Sequence, residues 1–129
     1  MNWQARIHTI KMDNERLKFI DIAARLPYGV KCRVSSGADG LIIGIYLDGE
    51  VRVSSCYVNT YARELIDVKP YLRPMNSMTE ADIGRQYEDG VTIKTYLDWL
   101  NAHMFDYRGL IAKGEAIEAP QGMYNFDNE

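Results

Sequence analysis

Two histidines, two cysteines and eighteen carboxylates are the side chains with which this chain of 129 residues could do acid–base, nucleophilic or metal chemistry. His8 and His103 lie on different elements and form no HxxxH or HExxH pair, the spacing that sets two imidazoles on one helix face. Cys32 and Cys56 sit in strand-like segments without metal-ligand spacing and read as reduced core thiols. A Cys56–His103 dyad stays open, because such pairs meet in space rather than in sequence. Ser35-Ser36 and Ser54-Ser55 lack the glycine-flanked context of a nucleophile elbow. Gly37, Gly40 and Gly44 follow GxxGxxxG, which is not a phosphate-cradling loop. Glu80 with Asp82, and Glu88 with Asp89, fall at helix ends, where carboxylates complement the helix dipole. These residues assign no catalytic side chain, no cofactor and no metal, and the chain reads as a non-enzyme.

The aromatic residues say more. Nine of the fourteen are tyrosines, whose apolar body and polar tip suit half-buried and interface positions. Tyr28, Lys31 and Arg33 lie close together at the start of a β-rich block, and Lys69, Tyr71 and Arg73 at its exit. Brought to one side, these six residues make a basic-aromatic surface. Such a surface grips an acidic or proline-rich protein segment, or stacks bases and holds phosphates. Formal charge is −3 overall but divided: residues 1–78 carry +3 and residues 79–129 carry −6. That balance argues against a general nucleic-acid binder, which carries a strongly basic domain, and points to two surfaces of different preference.

The elements that must position these residues follow from period and punctuation. Residues 3–10 are ambiguous: Ala5, Ile7 and Thr9 can form one face of an edge strand, and the pattern leaves open whether residues 1–12 join the sheet or hang free. Residues 14–26 have helical spacing, with Asp13 or Asn14 as cap and Pro27 and Gly29 as stop. Over residues 28–74 the expectation is a small, bent SH3-like barrel, with an open antiparallel sheet of four strands as the alternative. Val30, Cys32 and Val34 point inward there. Leu41–Leu47, apolar on both faces, is a central strand, Asp48-Gly49 closes a two-residue hairpin, and Glu50–Val58 returns with Val51, Val53 and Tyr57 on one face. Residues 59–64 connect to a last short strand over Leu65–Lys69, and Pro70 ends the ladder because it has no N–H. Residues 77–119 form a helical module of two to three helices. One follows a capping box at Ser77/Glu80 or Thr79/Asp82. A second runs from Thr92 to about Tyr107 with Ile93, Leu97, Leu100 and Met104 as its core stripe, and a third is capped by Asp106. Residues 115–119 fit a short strand or an extended tail, and residues 120–129 a loose terminus. The fold class is α+β in a single domain over residues 1–129.

Three segments carry a resemblance: Ala24-Arg25-Leu26-Pro27-Tyr28-Gly29-Val30-Lys31; Val68-Lys69-Pro70-Tyr71-Leu72-Arg73-Pro74-Met75 with Ser77-Met78-Thr79-Glu80; and Asp98-Trp99-Leu100-Asn101-Ala102-His103 with Phe105-Asp106-Tyr107-Arg108-Gly109-Leu110-Ile111. Over residues 20–124 the chain resembles small hypothetical proteins carried on prophages and mobile elements of Bacteroides-like gut bacteria. The resemblance implies a bacterial or phage origin and brings no activity with it. No apolar run approaches the ~18 residues of a membrane span, and the N-terminus has no apolar signal core, so the expected location is the cytoplasm of a bacterial host. The expected function is that of a non-enzymatic accessory protein of a phage or mobile element, acting through contacts with a protein partner. A nucleic-acid-binding module and a small enzyme with an unrecognised site are the alternatives.

Overall fold

The structure, a computed structural model, describes the backbone of residues 3–55 and 60–124, and side chains from residue 13 onward within those ranges. The chain opens with α1 (Trp3–Arg25). The helix already includes residues 3–10, so the edge strand expected there is not formed, and Asp13 and Asn14 lie inside the helix instead of capping it. No glycine or proline interrupts Trp3–Arg25. Once the packed second half has met the cost of nucleation, extending the helix toward the N-terminus adds one hydrogen bond per residue fixed. A single 3₁₀ turn over Leu26–Tyr28 ends it, with Pro27 inside and Gly29 in the left-handed region at φ 83°.

Six strands follow: β1 (Lys31–Val34), β2 (Asp39–Ile45), β3 (Glu50–Ser54), β4 (Tyr61–Glu64), β5 (Val68–Leu72) and β6 (Ile117–Glu118). Their order is β4-β3-β2-β1-β5-β6, antiparallel except for the parallel β5–β6 pair. The sheet is open, and the SH3-like barrel is not formed. The reason lies far along the chain: β6 occupies the edge of β5 that would have had to reach β4 to close a barrel. The open-sheet alternative holds for the class, with six strands in place of four. The α+β expectation, a helix before the sheet and helices after it, also holds.

The β2–β3 hairpin forms, with a three-residue loop rather than two. Gly49 N–H donates to the Tyr46 carbonyl and Tyr46 N–H to the Glu50 carbonyl, both at 2.9 Å, and Gly49 takes φ 92°. This is a turn followed by a left-handed glycine, the usual three-residue solution. β4 replaces the connection expected over residues 59–64. Val51 and Val53 are fully buried as expected, whereas Cys56 and Tyr57 lie outside the described residues.

β5 runs through Pro70, against the expectation that proline ends the ladder. Ser35 N–H donates to the Asp67 carbonyl at 2.8 Å, which sets the hydrogen-bonding pairs at alternate positions along β1 and β5. Cys32 opposite Pro70 is then a non-bonding pair. The missing donor faces the side where β6 pairs only with Tyr71 and Leu72.

The inner face of the sheet packs on α1. Ile22 meets Val30, Cys32, Val34, Ile42, Val51, Val53, Val68 and Leu72 in one apolar cluster that Met104, Leu110 and Ala116 complete. Charged groups are locked beneath it. Arg25 and Asp21, both 0% exposed, form a two-armed pair at 2.9 and 3.0 Å, and Arg108 adds a 2.7 Å contact to Asp21. Arg25 also donates to the Phe105 carbonyl at 2.6 Å, and Lys18 to the Val68 carbonyl at 2.9 Å, with Glu115 3.1 Å from its ammonium. This network joins α1 to the C-terminal part of the chain.

That part holds α2 (Glu80–Gly84), extended by a 3₁₀ turn over Arg85–Tyr87, and α3 (Ile93–Ala102). Of the two capping boxes read from sequence, Thr79/Asp82 is the one used. α3 is shorter than expected, because the chain turns left-handed at Met104 (φ 61°). Phe105 N–H donates to the Leu100 carbonyl and Met104 N–H to the Asn101 carbonyl, the double bond of a Schellman ending. Met104 holds a position that favours glycine because its side chain is fully buried. The third helix is replaced by turns. Asp106 still caps, its carboxylate accepting from Leu110 and Ile111 N–H at 2.8 and 2.9 Å.

Candidate functional site: the outer face of the sheet

Alternation along β1 and β5 sets Lys31 and Arg33, and Lys69 and Tyr71, on the face opposite α1, and Arg33 stands directly opposite Lys69. Arg73 follows in the same parity. The β ladder therefore does bring most of the six expected binding residues together. Tyr28 stands apart, half-exposed in the turn before β1.

Their chemistry is less free than their placement. Asp39, opposite Arg33 on β2, accepts from Arg33 Nε at 3.2 Å and from the Tyr71 hydroxyl at 2.7 Å. The Arg33 guanidinium lies 5.5 Å from the Tyr71 ring centroid. Tyr71 is only 2% exposed, and burial, followed by its bond to the Asp39 carboxylate, pushes the phenol above its ordinary value. Arg73 turns away toward the helical module. Its guanidinium sits 4.2 Å from the Phe105 ring centroid and donates to the His103 carbonyl at 3.1 Å. Lys31 donates to the Met123 carbonyl at 2.7 Å, while Lys69 is exposed.

Tyr124 closes this end of the sheet. Lys31 and Tyr71 would be the next hydrogen-bonded pair of the ladder, but the Tyr124 hydroxyl stands between them. It accepts from Lys31 N–H and donates to the Tyr71 carbonyl, both at 2.8 Å. Burial pushes this phenol well above its ordinary value. The loose tail expected from residue 120 is thus anchored as far as Tyr124, and residues 125–129 lie outside the described ones.

The sequence reading missed the apolar part of this face. Leu41 is 38%, Ile43 47% and Tyr46 50% exposed on or beside β2. The signal was present: Leu41–Leu47 is apolar at every second position on both faces. Such a run predicts a central strand covered on both sides, whereas here the side carrying Leu41 and Ile43 is exposed. Asp39 and Tyr124 also escaped, because their roles depend on partners distant in sequence.

The candidates for catalysis are placed otherwise. The His103 ring stacks on Trp99 at 4.3 Å, and its Nδ1 donates to the Trp99 carbonyl at 2.9 Å. Cys32 faces the core, where burial, aided by the Asp39 charge, pushes its thiol up to about 12. Cys56 and the side chain of His8 lie outside the described residues. A shallow cleft of ≈ 660 Å³ runs between Glu15, Asp48, Glu50 and Arg63, and a second of ≈ 410 Å³ between Arg73, Ser77, Glu118 and Tyr124. Neither has His103 or Cys32 in its wall. Among the described residues no group of three or more His, Cys, Asp or Glu is placed to hold a metal, and no helix is long and apolar enough to cross a membrane. No protein-family model matches the chain, and neither a curated protein nor a solved structure shows significant similarity to it.

Proposed function

We propose that this chain is a non-enzymatic accessory binding protein of a phage or mobile element, working in the cytoplasm of a bacterial host through protein–protein contacts on the outer face of its sheet. One observation carries the reading: Leu41 and Ile43 stand exposed on a face whose neighbouring strands present Lys31, Arg33 and Lys69. Apolar side chains rimmed by charge are the composition of a recognition surface. A nucleic-acid role has less support. Stacking on a base needs an open ring, and Tyr71 is 2% exposed with its hydroxyl held by Asp39. An enzymatic role has less support as well, since His103 and Cys32 are both engaged in packing.

The test is capture of the tagged chain at low salt from a lysate that also contains an untagged copy, with and without nuclease. A stoichiometric protein that survives nuclease and is lost from folded Ile43→Asp and Lys69→Glu variants is the expected result. Nuclease-sensitive material, or a protein retained equally by both variants, overturns the reading.

A further inference from the structure

The exposed apolar side chains of the outer face form a row along β2. Leu41 and Ile43 begin it. Val51 and Val53 point inward on β3, so Arg52 and its partner on β2, Gly44, face outward. A Cβ on Gly44 would stand 3.7 Å from Tyr46 Cε2 and 3.7 Å from the Tyr46 hydroxyl. The half-exposed Tyr46 ring therefore lies beside Gly44 on the same face and carries the row to the end of the strand. The two flanks of the row differ in charge. Toward β5, Lys31 stands directly opposite Leu41, and Arg33 stands between Asp39 and Lys69, opposite each. Asp39 is already held by Arg33 and Tyr71, while Lys69 is exposed and makes no ion pair among the described residues. Toward β4, Arg52 pairs with Glu50 at 3.6 Å, and Glu64 stands opposite Glu50 on the edge strand. The β1–β5 flank is thus basic, and the β3–β4 flank is not.

What lies on such a face is constrained by its backbone. β1, β2 and β3 are interior strands, so their N–H and carbonyl groups are engaged in the ladder and only side chains are presented. A segment covering the row must bond its own backbone groups internally, which a helix does and an extended chain does not. The dimensions agree. β2, β1 and β5 span two interstrand spacings, about 10 Å, which is the width of one helix. Leu41 and Ile43 are about 7 Å apart along the strand, against ~6 Å between helix positions i and i+4. We propose that the outer face receives an amphipathic helix of a partner protein lying along β2. Its apolar side chains, at i, i+4 and i+7, meet Leu41, Ile43 and Tyr46, and carboxylates on one of its sides meet Lys31, Arg33 and Lys69. The inference rests on the function proposed above and adds to it the shape and charge of the partner.

Selection of binders to the full chain tests it, from a displayed library of short peptides that holds alanine-based helices with randomised faces beside fully random sequences. The expected winners are helices with an apolar stripe flanked on one side by Asp or Glu. A synthetic peptide of the winning sequence should shift the amide resonances of β1, β2 and β5. Its affinity should fall by about thirtyfold or more on Ile43→Asp. On Lys69→Glu it should fall by about threefold at low salt, a loss that fades as salt screens the charge. Circular dichroism verifies that each variant is folded, and Tyr46→Asp takes the place of Ile43→Asp should the latter unfold. Winners without an acidic flank, winners that bind the aspartate variant as well as the wild type, or no enrichment at all overturns the proposal. Extended, proline-rich or basic winners that are lost on Ile43→Asp remove the acidic helix and leave the outer face as the contact surface. If, in addition, lysate capture yields no protein that depends on Ile43, the broader reading falls with it.

Discussion

At the scale of single residues, position relative to the sheet decides reactivity. Cys32 is 0% exposed and its thiol is pushed up to about 12, so almost none is thiolate at neutral pH. Thiol-labelling reagents should leave it unmodified in the native protein and react with it after denaturation; a Cys56→Ser background isolates the measurement. Tyr71 and Tyr124 are both held protonated in the fold, their phenols raised above the ordinary 10.0 chiefly by burial. The folded state binds those protons more tightly than the unfolded state. Their contribution to stability is therefore fully present below pH 10.0 and is lost as pH rises through the folded values. The urea midpoint should fall above pH 10.0, in step with the last tyrosines to appear as tyrosinate in ultraviolet absorbance. A midpoint unchanged across that range would mean that neither hydroxyl is held as described. Tyr61 offers the converse case, since its buried hydroxyl finds no hydrogen-bond partner among the described residues. Tyr61→Phe removes a polar group already without compensation, so thermal unfolding should show a stability equal to or above that of the wild type.

At the scale of elements, α1 is held by charge as well as by apolar packing. Its inward residues include Ile22, yet also Lys18, Asp21 and Arg25, each at 1% exposure or less. Replacing Asp21 by Asn leaves the Arg25 and Arg108 guanidinium groups facing an amide in place of a carboxylate. Losing one partner of a buried pair costs about 3–5 kcal/mol. Chemical denaturation of Asp21→Asn should register a loss of that order, far more than the change on removing the exposed Lys94–Asp98 pair. The hairpin strands make a second demand. A Cβ at Gly40 would come within 2.5 Å of Val53 Cγ1 and 2.7 Å of the Ser54 carbonyl oxygen. Backbone cannot yield as a flexible side chain can, so Gly40→Ala should destabilise by about 1–3 kcal/mol in the same assay.

At the scale of the whole molecule, residues 117–124 are joined to β1 and β5 through the sheet. β6 adds a parallel edge to β5, Ala119 N–H donates to the Leu72 carbonyl at 2.7 Å, and Tyr124 bridges β1 and β5. Tyr124→Phe keeps the ring and removes the bridge, leaving Lys31 N–H and the Tyr71 carbonyl without their partner. A loss of about 1–3 kcal/mol is expected by denaturant titration, and faster amide exchange at Lys31 would locate it.

The local features of this protein follow from its sequence by itself. Alternation along Lys31–Val34, the turn at Asp48-Gly49, the Thr79/Asp82 capping box and the stop at Pro27–Gly29 are decided by neighbours within a few residues, where periodicity and backbone sterics act. So is the shared parity of Lys31 with Arg33 and of Lys69 with Tyr71, which made a basic-aromatic surface legible before any fold. Tertiary structure alone decided the rest. Whether Leu41–Leu47 is covered on one side or two depends on what packs against it. Whether Pro70 ends a strand depends on the register that Ser35 and Asp67 set, and whether the sheet closes depends on β6, which arrives from Ile117.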